Sequence, residues 1–476
     1  MRDTVRFTLN GKPVEIRAPD PTRTVLEWLR EDRRLTGTKE GCAEGDCGAC
    51  TVMAVDPQGK VRAFNSCIQF LPMIDGCALT TVEGLGGNDP VQKELVREHG
   101  SQCGFCTPGF VMALHAHHAR GGSTEPQAIT DAIAGNLCRC TGYGPIIRAG
   151  QTACATPAPK AEPARQNAEP LGYETNDGRG IRRFFAPTSV DEMARLYETY
   201  PDAVILGGAT DVGLWVTKQG RRIETIISVM RVTELQEEWP VLDGVGIGAA
   251  MTYADAFEVL FGLHPSLRDY LRRLGATQVR DSGTVVGNIA NGSPIGDMPP
   301  ILIALDAQIQ LRKGASTRTI PLEDFYIEYG KQDRAPGEFI THIIVGQPNG
   351  WELIAAEKIS KRFEQDISAV SAGFFVSLGN SGVEGARLAY GGMAGVPKRA
   401  RNAEAALMGQ PWNEASVQAA MAALAKDFQP LTDWRASADY RLAAAQNLLL
   451  RFYLENQTRG ALEAQRVTSL VGVEHG

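Results

Sequence analysis

Gly41-Cys42-Ala43-Glu44-Gly45-Asp46-Cys47-Gly48-Ala49-Cys50 sets three cysteines in C-x4-C-x2-C spacing on a glycine-rich loop, with Cys67 downstream as a fourth thiol. This is plant-type [2Fe-2S] spacing: four thiolates converge on two irons, and the glycines let the backbone fold tightly and aim N–H groups at sulfur. A zinc knuckle also takes four thiolates but fits this loop less well. Upstream, residues 5–9 and 14–17 flank Asn10-Gly11, a pair suited to a tight hairpin turn. Pro21 then precedes Val25, Leu26, Trp28 and Leu29, spaced for a short amphipathic helix. A small α+β unit over residues 1–84 is expected.

Downstream, helical runs at 110–119 and 128–134 alternate with Cys103-Gly104-Phe105-Cys106 and Cys138-Arg139-Cys140, giving a helical module over 85–154. Alone, these two pairs suit zinc, a redox dithiol or an iron–sulfur cluster. A neighbouring cluster loop favours the last, because a one-electron relay needs a second redox centre close by. All ten cysteines precede residue 155, so the demand for sulfur is local. Cys77 and Cys154 are read as ordinary thiols. His115, His117 and His118 do not all share one helical face and are read as solvated.

Residues 155–178, with Pro157, Pro159, Pro163 and Pro170, read as a linker. Beyond it, strand-like 203–206, 225–229, 245–248 and 301–305 alternate with helical 190–198 and 267–274, an α/β texture over 179–350. Residues 351–476 read as α+β, with strands near 372–378 and 387–390 and helices near 412–428 and 436–452. Ile205-Leu206-Gly207-Gly208-Ala209-Thr210-Asp211-Val212 follows a strand, and its small residues would let N–H groups approach a pyrophosphate. It is neither G-x-G-x-x-G nor a P-loop.

The 476 residues, 43% hydrophobic and 22% charged, describe a modular globular chain. The net charge of −7 leaves no basic footprint for nucleic acid or an anionic membrane. No apolar run reaches the ~18 residues of a membrane span, and Met1-Arg2-Asp3 opens no signal peptide, so a cytoplasmic location is expected.

Four stretches carry a resemblance: 38–52 around the first cysteines, Gln102 to Gly109, Gly135 to Tyr143, and Asn291-Gly292-Ser293-Pro294-Ile295-Gly296-Asp297. Across nearly its whole length the chain resembles the xanthine dehydrogenase family of molybdenum hydroxylases, most closely the iron–sulfur and flavin subunit of bacterial two-polypeptide members. The resemblance implies a multidomain α+β fold: a β-grasp ferredoxin-like domain, a helical-bundle [2Fe-2S] domain, a two-subdomain α/β FAD-binding domain and a C-terminal α+β flavoprotein domain. It implies that Cys42, Cys47, Cys50 and Cys67 hold one cluster. Cys103, Cys106, Cys138 and Cys140 would hold the cluster nearer molybdenum, with Gln102 facing the partner's molybdopterin.

The resemblance also assigns FAD contacts to Ile205, Leu206, Gly207, Gly208, Ala209, Thr210, Asp211 and Val212, and to Thr284, Val285, Val286, Gly287, Asn288 and Asp297. Leu274 and Ile340 would pack near the flavin and Lys358 would contact it. NAD+ would lie over the flavin near Tyr329 and Asp366. Ala209 and Val286 stand where glycine is frequent, and Val286 would resist a positive φ. Electrons are expected to run from molybdenum in a separate large subunit through both clusters to FAD and NAD+, in an assembly of two small and two large subunits. Hypoxanthine or xanthine would be oxidised to urate there, with no catalytic residue for that step in this chain. The alternatives are an aldehyde-, nicotinate- or other heterocycle-oxidising relative, or a stand-alone redox carrier or sensor.

Overall fold

A computed structural model describes residues 1–165 and 167–457; Gln166 in the expected linker and the end of the expected last domain, 458–476, lie outside the described residues. Asn10 and Gly11 both take positive φ, 48° and 77°, closing the hairpin between strands Thr4–Leu9 and Lys12–Arg17. The sheet runs Lys12–Arg17, Thr4–Leu9, Ala78–Thr80, Thr51–Val55, Val61–Asn65, with Thr4–Leu9 and Ala78–Thr80 parallel at its centre. The expected helix is a single turn, Val25–Glu27, opened by a Thr24/Glu27 capping box and continued by the wider π turn Trp28–Asp32. It seats Val25, Trp28 and Leu29 under the sheet, while Leu26 packs with Cys50, Cys67 and Ile68.

Four helices follow: Pro90–Arg97, Thr107–Ala119, Pro126–Ile133 and Gly144–Cys154, each with proline in its first turn, where the missing N–H costs nothing. Thr107–Ala119 is central, and this corrects one expectation. His115 and His118 are buried rather than solvated: His115 Nδ1 bonds Asp89 Oδ2 at 2.8 Å, and His118 Nε2 lies 2.9 Å from the Thr156 carbonyl. His117 meets the Ser123 carbonyl instead, so the three rings diverge.

The expected linker also changes. Its last part is strand Leu171–Asn176, which pairs with Ile181–Ala186, and Arg165 N donates to Gly76 O, so the segment is laid along the first domain. A four-stranded sheet follows, in the order Leu171–Asn176, Ile181–Ala186, Thr225–Ser228, Val204–Leu206. A five-stranded sheet runs Glu238–Val241, Gly244–Gly248, Phe339–Gly346, Gln308–Lys313, Ser316–Pro321. The run expected as a strand at 301–305 is instead the helix Met298–Ala304, started by Pro299 and Pro300 and buried along its whole length. An element apolar on every side carries no period by which to tell the two apart. The last domain is the antiparallel sheet Leu353–Ile359, Val370–Leu378, Val383–Gly391, Lys398–Arg399, backed by helices Arg401–Leu407, Glu414–Asp427 and Ala438–Glu455. Among the described residues no helix is long and apolar enough to cross a membrane.

Candidate redox site

Cys42, Cys47, Cys50 and Cys67 converge. Hydrogen bonds from the Cys47 and Cys67 thiols hold Cys42 well below the ordinary thiol value, and the same contacts, with Cys50 beside Cys67, push Cys47 and Cys67 up. Backbone N–H groups of Glu44 and Cys47 each point at Cys42 Sγ from 3.4 Å. Four thiols sharing protons at one point, ringed by amide donors, fit a cluster that replaces those protons with iron.

The second set pairs Cys103 with Cys140 and Cys106 with Cys138. Cys140 is raised by its bond to Cys103, and Cys106 is pushed up to about 12 by burial and by Cys138. Despite its burial, Cys138 is lowered by Thr141, whose hydroxyl lies 3.2 Å from its sulfur. Cys103, Cys140 and Gln102 lie on the surface beside exposed Phe105 and Leu137. The leftover thiols are unremarkable in setting: burial pushes Cys77 up to about 12 and Cys154 up to about 11.

The two cluster loops touch through backbone. Leu137 N, next to Cys138, donates to Cys47 O at 3.0 Å. A side-chain carbon at Gly48 would stand 2.1 Å from Gly135 O, and one at Gly109 2.3 Å from Gly48 O, so only glycine permits this approach.

Both expected FAD loops also meet. A carbon added at Gly208 would lie 1.7 Å from Ser282 O, and Thr284 Oγ1, facing Gly207, caps helix Val285–Asn291 by accepting from Gly287 N at 2.9 Å. The positive φ falls on Ala209, at 61°, whereas Val286 lies inside the helix and meets none of the strain anticipated for it. Asn288 Oδ1 accepts from Met298 N at 3.3 Å, which brings the second loop to Asp297. Lys358 is buried; its Nζ donates to Asp297 Oδ2 at 2.6 Å while Ser368 Oγ donates to Oδ1 at 2.6 Å. Leu274 and Ile340 are both buried in the surrounding core.

Ile205, Leu206, Thr210, Asp211 and Val212 feed helix Val212–Thr217, which runs from the first loop to the cluster loop. There Leu214 packs on the Cys50, Cys67 and Ile68 group, and Thr217 Oγ1 donates to Ala43 O at 2.8 Å. From the other side Gln365 Nε2 donates to Asp46 O at 3.4 Å. Asp366 ties its own turn, accepting from Lys361 N and Arg362 N at 2.7 and 2.9 Å. Tyr329 is 75% exposed on the hairpin of Tyr326–Glu328 and Lys331–Gln332, and among the described residues no hydrogen bond joins it to that turn. Sequence reading missed Leu214, Thr217, Asp46, Gln365 and Ser368, whose roles arise from tertiary contact alone.

Family models match in chain order: 2Fe-2S iron-sulfur cluster binding domain (7–69), [2Fe-2S] binding domain (81–151), FAD binding domain in molybdopterin dehydrogenase (179–348) and CO dehydrogenase flavoprotein C-terminal domain (355–456). Aldehyde oxidase 4 of Cavia porcellus is 29% identical over 96% of this chain and 39% of its own length. Xanthine dehydrogenase of Emericella nidulans is 31% identical over 95% of this chain and 38% of its own. The chain therefore spans well under half of these relatives. Among solved structures, carbon monoxide dehydrogenase from Hydrogenophaga pseudoflava, lacking the Mo-pyranopterin moiety of its molybdenum cofactor, aligns with TM-score 0.54 and 28% identity over 56% of this chain and 94% of that one. The cysteine sets and the glycine loops thus fall within two [2Fe-2S] domains and an FAD-binding domain, followed by a C-terminal flavoprotein domain, and the chain is similar in this arrangement to xanthine dehydrogenase, aldehyde oxidase and carbon monoxide dehydrogenase.

Proposed function

We propose that this chain is the electron-transfer and NAD+-reducing subunit of a xanthine dehydrogenase, working beside a large molybdenum-binding subunit in an assembly of two small and two large chains. The observation that carries the reading is the continuity of the route. Gln102, Cys103 and Cys140 are exposed, where a partner would dock, Leu137 N–H bonds Cys47 O between the cluster loops, and helix Val212–Thr217 links the cluster loop to the glycine loop assigned to FAD. When bound, FAD collects single electrons and releases them as the hydride that NAD+ takes. The chain's own residues pack the glycine loop against Ser282 and Thr284 at Gly208 and Gly207, fix Lys358 against Asp297 and keep the turn at 360–366 against Asp46. Tyr329 and Asp366 are assigned to the NAD+ face.

The test is the natively purified complex. About four iron and four sulfide per chain are expected, with one FAD, and molybdenum only with the partner; urate should form from xanthine with NAD+ as acceptor. Failure of xanthine turnover with NAD+, in a complex that carries all these groups, overturns the reading. Oxidation of an aldehyde or a heterocycle such as nicotinate is the second reading. The near-equal likeness to an aldehyde oxidase favours keeping it, and the same complex assayed with aldehydes and nicotinate decides. A monomer free of molybdenum would instead mark a stand-alone carrier.

A further inference from the structure

Gln278 belongs to the FAD-binding domain, yet its side chain is buried, 1% exposed, at the junction of both cluster domains. Its Nε2 donates to Thr51 Oγ1 at 3.1 Å and to Asn136 Oδ1 at 2.9 Å. Thr51 follows Cys50 directly and Asn136 stands two residues before Cys138. Both turn on to one acceptor between the clusters: Thr51 Oγ1 donates to Gly48 O at 2.6 Å and Asn136 Nδ2 donates to the same oxygen at 2.9 Å. The amide orientation is fixed by chemistry. Asn136 Oδ1 can only accept, and the Thr51 hydroxyl proton is committed to Gly48, so Gln278 must offer its NH2 to both. Its Oε1 is left buried without a partner, 2.0 Å from where a side-chain carbon at Gly135 would be. A buried polar atom left unmatched marks a side chain held for its other contacts.

We propose that Gln278 is a positioning residue that clamps the two iron–sulfur loops at fixed separation, so that docking of the FAD-binding domain completes the inter-cluster step. The inference rests on the electron route proposed above. Gln278→Met keeps the volume, removes both donated bonds and relieves the stranded Oε1, so it should fold. Thr51→Val removes the acceptor from the other side. In the reduced holoprotein, pulsed dipolar spectroscopy reads the coupling between the two clusters, and amide exchange reads Leu137 N–H, which bonds Cys47 O.

Both variants should show a weakened or broadened dipolar coupling and loss of Leu137 protection, with FAD and iron content unchanged. If both keep the wild-type coupling and protection, the clamp is overturned. The route itself is read separately, from whether wild-type flavin and clusters are reduced by NADH without oxygen; a failure there sinks the proposed function and leaves the coupling measurement to judge the clamp.

Discussion

Ala209 and Val286 occupy corresponding places in the two loops, yet their backbones demand opposite residues. Ala209 is buried at φ 61°, and the left-handed region costs a side-chain-bearing residue about 1–2 kcal/mol. Ala209→Gly sheds that strain and adds roughly 0.5–1 kcal/mol of chain entropy cost, so its stability should stay near wild type. Ala209→Val should lose about 1–3 kcal/mol. Val286 is helical and 5% exposed, so Val286→Gly loses both a buried side chain and helix propensity, about 2–4 kcal/mol together. Denaturant titration of the three variants checks the contrast. Asp297→Ala strands the Lys358 ammonium, whose side chain is 2% exposed, and should cost about 3–5 kcal/mol. Lys358→Met leaves Asp297 with its Ser368 bond and should cost less, about 1–3 kcal/mol, with FAD content falling in both. The loops that hold these residues were legible as motifs. The ion pair was not, because its partners lie 61 positions apart and only tertiary packing joins them.

Among elements, the glycines between the cluster loops decide how close the two modules stand. Gly48→Ala places a carbon within 2.1 Å of Gly135 O and forces φ 67° on alanine, so loop separation or loss of fold is expected. Iron content and the Leu137 amide exchange rate would register it. The hairpin, the helical module and both cysteine sets were legible because turn chemistry and thiol spacing are local rules. Met298–Ala304 was misread because burial on every side erases periodicity, and Leu171–Asn176 because a proline-rich approach hid a short edge strand. The buried His115 and His118 escaped for a related reason: a helix surrounded by its own bundle has no solvent face to be inferred from spacing.

Over the whole molecule, charge ties the first domain to the third. Asp255, in the FAD-binding domain, accepts from Lys60 Nζ and Arg62 Nη2, each at 2.7 Å. Burial alone would raise it, but Arg62 foremost, with Lys60 and Thr252, holds it below the ordinary carboxylate value. A carboxyl depressed in the folded state stabilises above its unfolded pKa of about 3.9 and loses that contribution as pH falls through the folded value. Asp255→Asn should therefore be less stable than wild type at pH 7, by about 1 kcal/mol after allowance for the half-exposed Lys60, and the gap should close only in strong acid. Thermal melts across pH test it. Apolar packing adds to this tie: Val5, Phe7 and Trp28 share one core with Leu171, Phe184 and Ile226.

Arg2 reinforces the join. Its N–H meets Pro170 O and its carbonyl receives Gly172 N, both at 2.9 Å, while its guanidinium grips buried Asp75, which Arg231 also holds. The first strand of the ferredoxin-like sheet is thus basted to the first strand of the flavin sheet. A carrier that ferries charge by swinging on a tether needs a hinge, and this seam removes it. On the proposed route electrons would pass through a stationary frame, and a protein nicked within 155–165 should keep its halves together.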